Sequence, residues 1–165
     1  MDRDLTSVGH APAGRWAFDD EVTACFSDML RRSIPDLDGM RSAVNQTAGY
    51  FLRPGDHILD LGTAHGDAIA GILREHPEVS AVACECSAPM RDTASRRLSS
   101  EFPGRARVED VDLRRSFPGG RYRVILAVLT LQFTPIEYRQ RIIRACLDAL
   151  DDGGALVLVE KTIGT

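Results

Sequence analysis

Apolar residues follow two different periods along this chain. From Val22 to Leu30, and again from Met40 to Phe51, they recur every three or four positions, which is the spacing of one helical face. Ile34-Pro35 interrupts the pattern between these stripes, because the residue before a proline disfavours the helical region. Asp36 or Asp38 is the candidate N-cap of the second stripe. The pattern therefore predicts two N-terminal helices.

After residue 52, short apolar runs alternate with helical stripes. Apolar runs without polar alternation indicate strands buried on both faces, as in a parallel sheet covered by helices. A capping box over Thr134 to Glu137, with Pro135 at the first helical position, is expected to begin the last helix, and Gly153-Gly154 to end it. The five predicted strands are His57 to Leu61, Val79 to Cys84, Ala106 to Val111, Arg123 to Leu129 and Ala155 to Glu160.

Composition narrows the classes of function. The chain has 165 residues and a net charge of −4, so no surplus of positive charge points to a nucleic acid partner. No apolar stretch approaches the ~18 residues of a membrane span, and no secretory signal is visible. The four cysteines lack framework spacing, which favours a cytoplasmic protein. We expect a flexible N-terminus over residues 1–15, a helical lid over 16–52 and an α/β core over 53–165.

Residues that suit a ligand follow the predicted strands. Asp60 ends the first strand, and the loop from Gly62 to Gly66 leads into a helix, so backbone N–H groups and a helix N-terminus face the ligand. Glu85 ends the second strand, where a carboxylate accepts hydrogen bonds from ribose hydroxyls. Asp112 follows the third strand and suits an adenine amino group, with the Leu113 backbone beside it. The pattern predicts a nucleoside-like ligand at this edge of the sheet.

Four stretches resemble a known family. Residues 59–66 resemble the first motif of class I S-adenosylmethionine-dependent methyltransferases, 81–90 the second, 108–113 the third, and 149–161 the double-glycine turn into the fifth strand. The resemblance implies S-adenosylmethionine as cofactor. It also implies a Rossmann-like, doubly wound α/β fold with a mainly parallel five-stranded sheet in the order 3-2-1-4-5, lacking the usual last two strands, with N-terminal lid helices.

Within that family, the chain is similar to the carboxy-S-adenosylmethionine synthase group. The matching stretches are residues 18–22, 28–35, 130–133 and 153–161. That group makes the carboxymethyl donor used on a wobble uridine of transfer RNA. With the strand-end residues above, the similarity implies cofactor contacts at Asp60, Gly62, Thr63, Ala64, Gly66, Glu85, Cys86, Asp112, Leu113 and Val128.

The chain departs from that group at the charged end of the cofactor. Leu37 stands where the group has a tyrosine, and Val128 where it has an asparagine. The group's arginine for the extra carboxylate has no counterpart in this sequence. An anionic group buried without a cation is costly, so we expect plain S-adenosylmethionine to bind in preference to the carboxylated form.

The expected function is methyl transfer from S-adenosylmethionine to a small-molecule acceptor. Such a reaction needs mainly alignment of donor and acceptor in a dry pocket, because the sulfonium is already activated. Two alternatives stay open. One is another use of the cofactor, as in a carboxy-S-adenosylmethionine synthase or a cyclising enzyme. The other is a non-catalytic, cofactor-binding subunit of a complex.

No catalytic residue stands out, and His65 is only a weak candidate for a general base. A histidine there more often turns to solvent or packs on the helix. Cys84 and Cys86 are expected to be buried, and no metal site is expected. Arg31 and Arg32 are either a solvated helix end or partners of an acceptor carboxylate. Core packing is expected, rather than cation–π contact with the sulfonium, for both Phe133 and Trp16.

The predicted fifth strand raises a question of association. Ala155 to Glu160 is nearly continuous in apolar residues, and it would be an edge strand in a five-stranded sheet. Exposed edges of that kind recruit another strand. We therefore expect a homodimer, or a partner chain, that covers this edge. The alternative is an N-terminal segment that folds back over it.

Overall fold

The computed structural model describes residues 18–162, which form a three-layer α/β fold. A five-stranded sheet has the order β3-β2-β1-β4-β5, and every neighbouring pair is parallel. Both features confirm the predicted fold class. The elements are α1 (Asp20–Ser33), α2 (Leu37–Phe51), β1 (His57–Leu61), α3 (Asp67–Glu75), β2 (Ser80–Cys84), α4 (Ala88–Glu101), β3 (Ala106–Glu109), β4 (Tyr122–Val128), a 3-10 turn (Leu131–Phe133), α5 (Ile136–Ala149) and β5 (Leu150–Val159).

The strands are apolar on both faces because each face is covered. In β1, Ile58 packs with the side chains of α2, α3 and α4, whereas Leu59 and Leu61 pack against α5 on the opposite face. All three of these side chains are fully buried. This arrangement explains why the strand sequences show no alternation of polar and apolar residues.

Helix α1 packs against α4, whereas α2 packs against α3 and against β4 and β5 of the sheet. Asp19 caps α1 by accepting a hydrogen bond from the Val22 N–H at 2.9 Å. Val22 and Phe26 then pack with Met90 of α4. Asp36 caps α2 with a left-handed backbone, φ 50°, which resolves the choice between Asp36 and Asp38.

Helix α2 approaches α3 closely at one glycine. A β-carbon added to Gly71 would lie 2.3 Å from Nδ2 of Asn45, so a larger residue here would displace the Asn45 side chain. Trp16 and the predicted N-terminus over residues 1–15 lie outside the described residues. The division into a lid over 16–52 and a core over 53–165 stays a prediction.

Two local predictions were wrong, both near α5. Thr134 forms no capping box: α5 begins at Ile136, its N-cap is Pro135, and no side chain caps it. Thr134 has extended backbone, and its carbonyl accepts a hydrogen bond from Nε of Arg139 at 2.9 Å. The 3-10 turn ends at Phe133 with Thr134 as its C-cap, so Thr134 closes that turn instead of capping α5.

Gly153-Gly154 does not end α5. The helix ends at Ala149, and β5 begins at Leu150 and runs through the glycines. Gly153 has φ +74° and sits where the register between β4 and β5 shifts, so the pair forms an irregularity inside the strand. Here the glycines fit a bulge, since the buried Arg123 bonds to the Asp152 carbonyl at 2.6 Å and fixes the chain beside them.

Candidate functional site

A cleft of about 1200 Å³ opens at the carboxyl ends of β1, β2 and β4, beneath the corner between α1 and α2. Its volume lies above the ~300–1000 Å³ of most small-molecule sites. None of the helices between residues 18 and 162 has the length and apolarity to cross a membrane. The predicted contact residues that line the cleft are Asp60, Gly62, Thr63, Ala64, Glu85, Cys86, Asp112, Leu113 and Val128.

Gly66 supports the cleft without lining it. Its φ of +78° makes it the left-handed N-cap of α3, and its N–H donates to the Thr63 carbonyl at 2.8 Å. Gly62 also has positive φ, +66°, and a β-carbon there would lie 2.6 Å from Cγ2 of Thr130. The loop after β1 therefore requires glycine at Gly62 for both conformation and space.

Asp60 is a buried carboxyl at the floor of the cleft, 2% exposed. The hydroxyl of Thr63 donates to its Oδ2 at 2.5 Å. Burial raises the pKa of Asp60 to about 6, and the charge of Glu85 acts in the same direction, although the Thr63 hydrogen bond opposes them. A carboxylate accepts more hydrogen bonds than this one donor supplies, so Asp60 has capacity for a donor on a ligand.

Glu85 joins the two loops that the ligand would touch. Its Oε2 accepts from the Ala64 N–H at 3.0 Å, and its Oε1 accepts from the Ser87 N–H at 2.8 Å. The side chain is 8% exposed, at the cleft wall. Each carboxylate oxygen keeps a second lone pair, which is what two ribose hydroxyls require.

The Asp112 carboxylate is already hydrogen-bonded to Arg114, which the sequence analysis did not predict. Its Oδ2 accepts from Nη2 of Arg114 at 2.7 Å, and its Oδ1 accepts from the Arg114 N–H at 2.9 Å. These hydrogen bonds lower the pKa of Asp112. A ligand amino group would have to share this carboxylate with Arg114.

Of the two cysteines at the end of β2, Cys84 is buried as predicted and Cys86 is not. Cys84 is buried, where desolvation raises the pKa of its thiol, but Cys86 is exposed. The strand ends at Cys84, so the two side chains do not share a strand face. In the part of the chain that the structure describes, no group of histidine, cysteine and carboxylate side chains is arranged to bind a metal ion.

The wall beyond β4, residues 128–133, is held by contacts that the sequence analysis did not predict. Leu129 has φ 57°, and the next residue, Thr130, donates from Oγ1 to the Leu61 carbonyl at 2.7 Å. The Glu160 carboxylate accepts the N–H groups of Leu131 and Gln132, at 2.8 and 2.9 Å. The last residue of β1 and the residue that follows β5 thus hold this turn, which no local pattern reveals.

His65 lines the cleft with a polar atom that has no partner. Its Nε2 is buried and makes no hydrogen bond within residues 18–162. Its ring lies 5.2 Å from that of Phe26, centroid to centroid, in an edge-to-face contact. Burial lowers the pKa of His65, which favours the neutral imidazole. The side chain packs beneath α1, and its role as a base stays a hypothesis.

A cluster of charges borders the cleft near His65. Arg41 of α2 donates to Oδ2 of Asp67 at 2.5 Å, and Arg97 of α4 bonds to Oδ1 of the same carboxylate. Burial opposes ionisation of Asp67, but the hydrogen bond from Arg97 and the charges of the two arginines hold its pKa below the usual value. The sequence analysis missed this cluster because its members come from three helices.

Other residues named from the sequence lie elsewhere. Arg31 and Arg32 are exposed on α1, outside the cleft wall, and Arg32 pairs with Asp28 at 3.5 Å. Phe133 lines the cleft but is 56% exposed, with its ring edge-to-face to Phe18 at 5.1 Å. Phe133 therefore does not belong to the buried core.

Comparison with known proteins shows the family to which this chain belongs. Residues 58–154 match the model of a family described as methyltransferase domain. The chain belongs to that family. The family and the fold class predicted from the sequence are thereby confirmed, and S-adenosylmethionine is the cofactor that goes with them.

Individual relatives agree with this family. The chain is 34% identical, over 96% of its length, to the carboxy-S-adenosyl-L-methionine synthase of Sodalis glossinidius, and it spans 65% of that relative's length. An O-methyltransferase family protein from Burkholderia thailandensis superposes with a TM-score of 0.69 at 26% identity, covering 84% of this chain and 41% of that one. A methyltransferase from Geobacter sulfurreducens in complex with S-adenosyl-L-homocysteine shares the fold, with a TM-score of 0.56 at 19% identity, covering 69% and 46%.

Proposed function

We propose that the cleft binds S-adenosylmethionine and that the protein transfers its methyl group to a small-molecule acceptor. The observation that carries this proposal is the position of Glu85, a nearly buried carboxylate that joins the loops at residues 64 and 87. A carboxylate fixed at this strand end suits a pair of ribose hydroxyls. The methyltransferase family match supports the same ligand.

The residues around the cleft fit the parts of that cofactor. Glu85 would accept from the ribose, and the Asp112 side chain with the Leu113 backbone would lie beside the adenine. Asp60 has spare acceptor capacity for a cationic ammonium group. When bound, S-adenosylmethionine supplies a methyl group on a sulfonium that needs no further activation.

The chain's own contribution would be alignment and exclusion of water. Apolar side chains of α1 and α2 form the roof of the cleft, and Leu37, only 5% exposed, lies among them. A roof of this kind keeps donor and acceptor together in a dry space, which is the main requirement of methyl transfer.

Glu85→Ala tests the cofactor assignment. We expect the variant to bind S-adenosylhomocysteine about 1.5–3 kcal/mol more weakly by calorimetry, the scale for losing hydrogen bonds to a charged group. Glu137→Ala, on the exposed side of α5, is the matched control and should bind as the wild type does. Equal affinity for the Glu85 and Glu137 variants would refute the assignment.

A second reading uses the carboxylated cofactor, as the names of the curated relatives suggest. We propose instead that plain S-adenosylmethionine binds better, because Leu37 and Val128 put apolar side chains on the cleft wall. Competition calorimetry between the two forms tests this choice. A clear preference for the carboxylated form would overturn it and would make carboxy-transfer the better assignment.

We also propose a cytoplasmic protein that associates through β5. All four cysteines are free thiols, and β5 pairs only with β4 within residues 18–162. Leu158 on β5 is 46% exposed, which leaves an apolar edge for another strand. Light scattering at micromolar concentration should give the mass of two chains, and a monodisperse mass of one chain would refute the association.

A further inference from the structure

Arg41 is the cation with the best access to the covered end of the cleft. It projects from α2 beneath the corner with α1 and lines the cleft together with His65. Its side chain is 25% exposed, so the guanidinium is partly withdrawn from water. Within residues 18–162, Asp67 is its only hydrogen-bond partner, through Nη2. Most of its five N–H donors therefore stay available to a ligand.

Asp67 holds Arg41 without fully neutralising it. Arg97 occupies the other oxygen of the Asp67 carboxylate and also donates to the His65 carbonyl at 3.1 Å. Arg97 lies 3.6 Å from Glu101, which pairs with Arg74. Three guanidinium groups thus share two carboxylates, which leaves one positive charge, and the Arg41 end of this chain of ion pairs faces the cleft.

The other charges around the cleft do not suit an anion as well. Glu85 and Asp60 would repel one, and Glu160 already accepts two backbone N–H groups. Arg114 is held by both oxygens of Asp112. Lys161 lines the cleft but is exposed, so its ammonium stays hydrated.

We infer that Arg41 binds the carboxylate of a ligand inside this cleft, with Asp67 as the residue that positions it. The inference rests on the proposed function and deepens it. A planar guanidinium binds a carboxylate through two parallel hydrogen bonds, and partial burial strengthens them. The buried, unpartnered Nε2 of His65 lies along the same cleft wall and supplies a further polar contact for such a ligand. The carboxylate comes either from the amino-acid end of S-adenosylmethionine or from the acceptor.

Two nucleosides distinguish the first source. S-adenosylhomocysteine carries the amino-acid carboxylate, whereas 5′-methylthioadenosine lacks the amino-acid end. If Arg41 holds that carboxylate, Arg41→Gln should weaken S-adenosylhomocysteine about 10-fold or more in calorimetry and leave methylthioadenosine unchanged. Arg41→Lys should retain part of the affinity, because it keeps the charge and loses the fork.

A pair of acids and amides tests the second source. With S-adenosylhomocysteine saturating, phenylacetate and phenylacetamide are titrated into wild type and Arg41→Gln. Binding of phenylacetate that the variant loses, with nucleoside affinities unchanged, assigns Arg41 to the acceptor. Arg32→Gln is the control off the cleft and Lys161→Gln the control on it, and both should behave as wild type.

Several outcomes overturn the inference. Equal weakening of both nucleosides in Arg41→Gln would mean that Arg41 only supports the fold, and thermal unfolding of Arg41→Lys checks that point independently. The inference would also be refuted if Arg41→Gln lost no carboxylate-dependent affinity in the nucleoside titrations and none in the phenylacetate titrations. A loss of affinity confined to Lys161→Gln would refute it as well. A wild-type protein that binds neither nucleoside would refute the cofactor assignment itself, which is a different result from any of these.

Discussion

Two turns follow the neighbouring strands β1 and β4, and different kinds of interaction fix their conformations. The loop after β1, residues 62–66, is shaped by its own backbone: three of its residues have positive φ, and two of those are glycines. The turn after β4, residues 129–133, has one residue with positive φ, Leu129, and is held from outside by Thr130 on the Leu61 carbonyl and by Glu160. Only the first kind of turn can be predicted from a sequence, because residues within the turn itself fix its conformation.

The two turns also touch each other. A β-carbon on Gly62 would lie 2.6 Å from Cγ2 and 2.9 Å from Oγ1 of Thr130. The local loop and the long-range turn therefore form one wall of the cleft. Variants that change the loop after β1 and the turn after β4 separately test this comparison.

The largest effect is expected from Gly62→Ala. A positive φ costs an L-residue about 1–2 kcal/mol, and crowding against Thr130 adds about 1–3 kcal/mol. Gly55→Ala is a matched control, because Gly55 has φ +87° and nothing within 4 Å of an added β-carbon. Denaturant unfolding should show Gly62→Ala less stable than Gly55→Ala by the crowding contribution. Equal loss of stability in the two variants would show that the turns do not constrain each other.

The next effect concerns Asp60, on the β1 side. Its folded pKa of about 6 lies above the unfolded value of 3.8. The folded state therefore holds the proton more tightly, and wild type loses stability as the pH rises from about 4 to about 6. About two pKa units correspond to about 3 kcal/mol at most. Asp60→Asn lacks this titration. The free energy of unfolding of the wild type, relative to that of the variant, should therefore be larger at pH 4 than at pH 7. A pH-independent difference would contradict the assignment.

Glu160→Gln tests the β4 side. Its two oxygens each accept a backbone N–H, and an amide would present an NH₂ group to one of those donors. We expect a loss of about 2 kcal/mol in unfolding free energy, within the range for hydrogen bonds to a charged group. Glu137→Gln, exposed on α5, is the control and should stay within about 0.5 kcal/mol of wild type. A Glu160 variant as stable as that control would mean that the turn holds itself.

The smallest effect is expected at the junction of α1 with the core. Ser87 caps α4 and also donates from Oγ to the Phe18 carbonyl at 2.6 Å. Ser87→Ala removes both contacts and should cost about 1 kcal/mol. Ser99→Ala, exposed near the end of α4, is the control and should unfold with the wild type's midpoint in denaturant. If the two serine variants unfold alike, the Ser87 hydrogen bonds do not stabilise the junction of α1 with the core.

Most of the fold could be predicted from apolar periodicity and turn residues. The break at Ile34-Pro35 and the start and end of β1 follow from neighbours within four positions, where steric preference and hydrogen bonding act directly. The errors at Thr134 and Gly153 have the same origin. Each pattern permits more than one local structure, and contacts with Arg139 and Arg123 accompany the one that forms.

The sequence by itself determined the α/β class, the glycine loop and the residues that end β1 and β2. It did so because a parallel sheet brings the carboxyl ends of its strands to one edge, whatever the loops between them do. Only the tertiary structure brought Arg41, Asp67 and Arg97 together and set Glu160 against the turn after β4. These contacts join residues 26 to 30 positions apart on different elements, and no local pattern encodes such a distance.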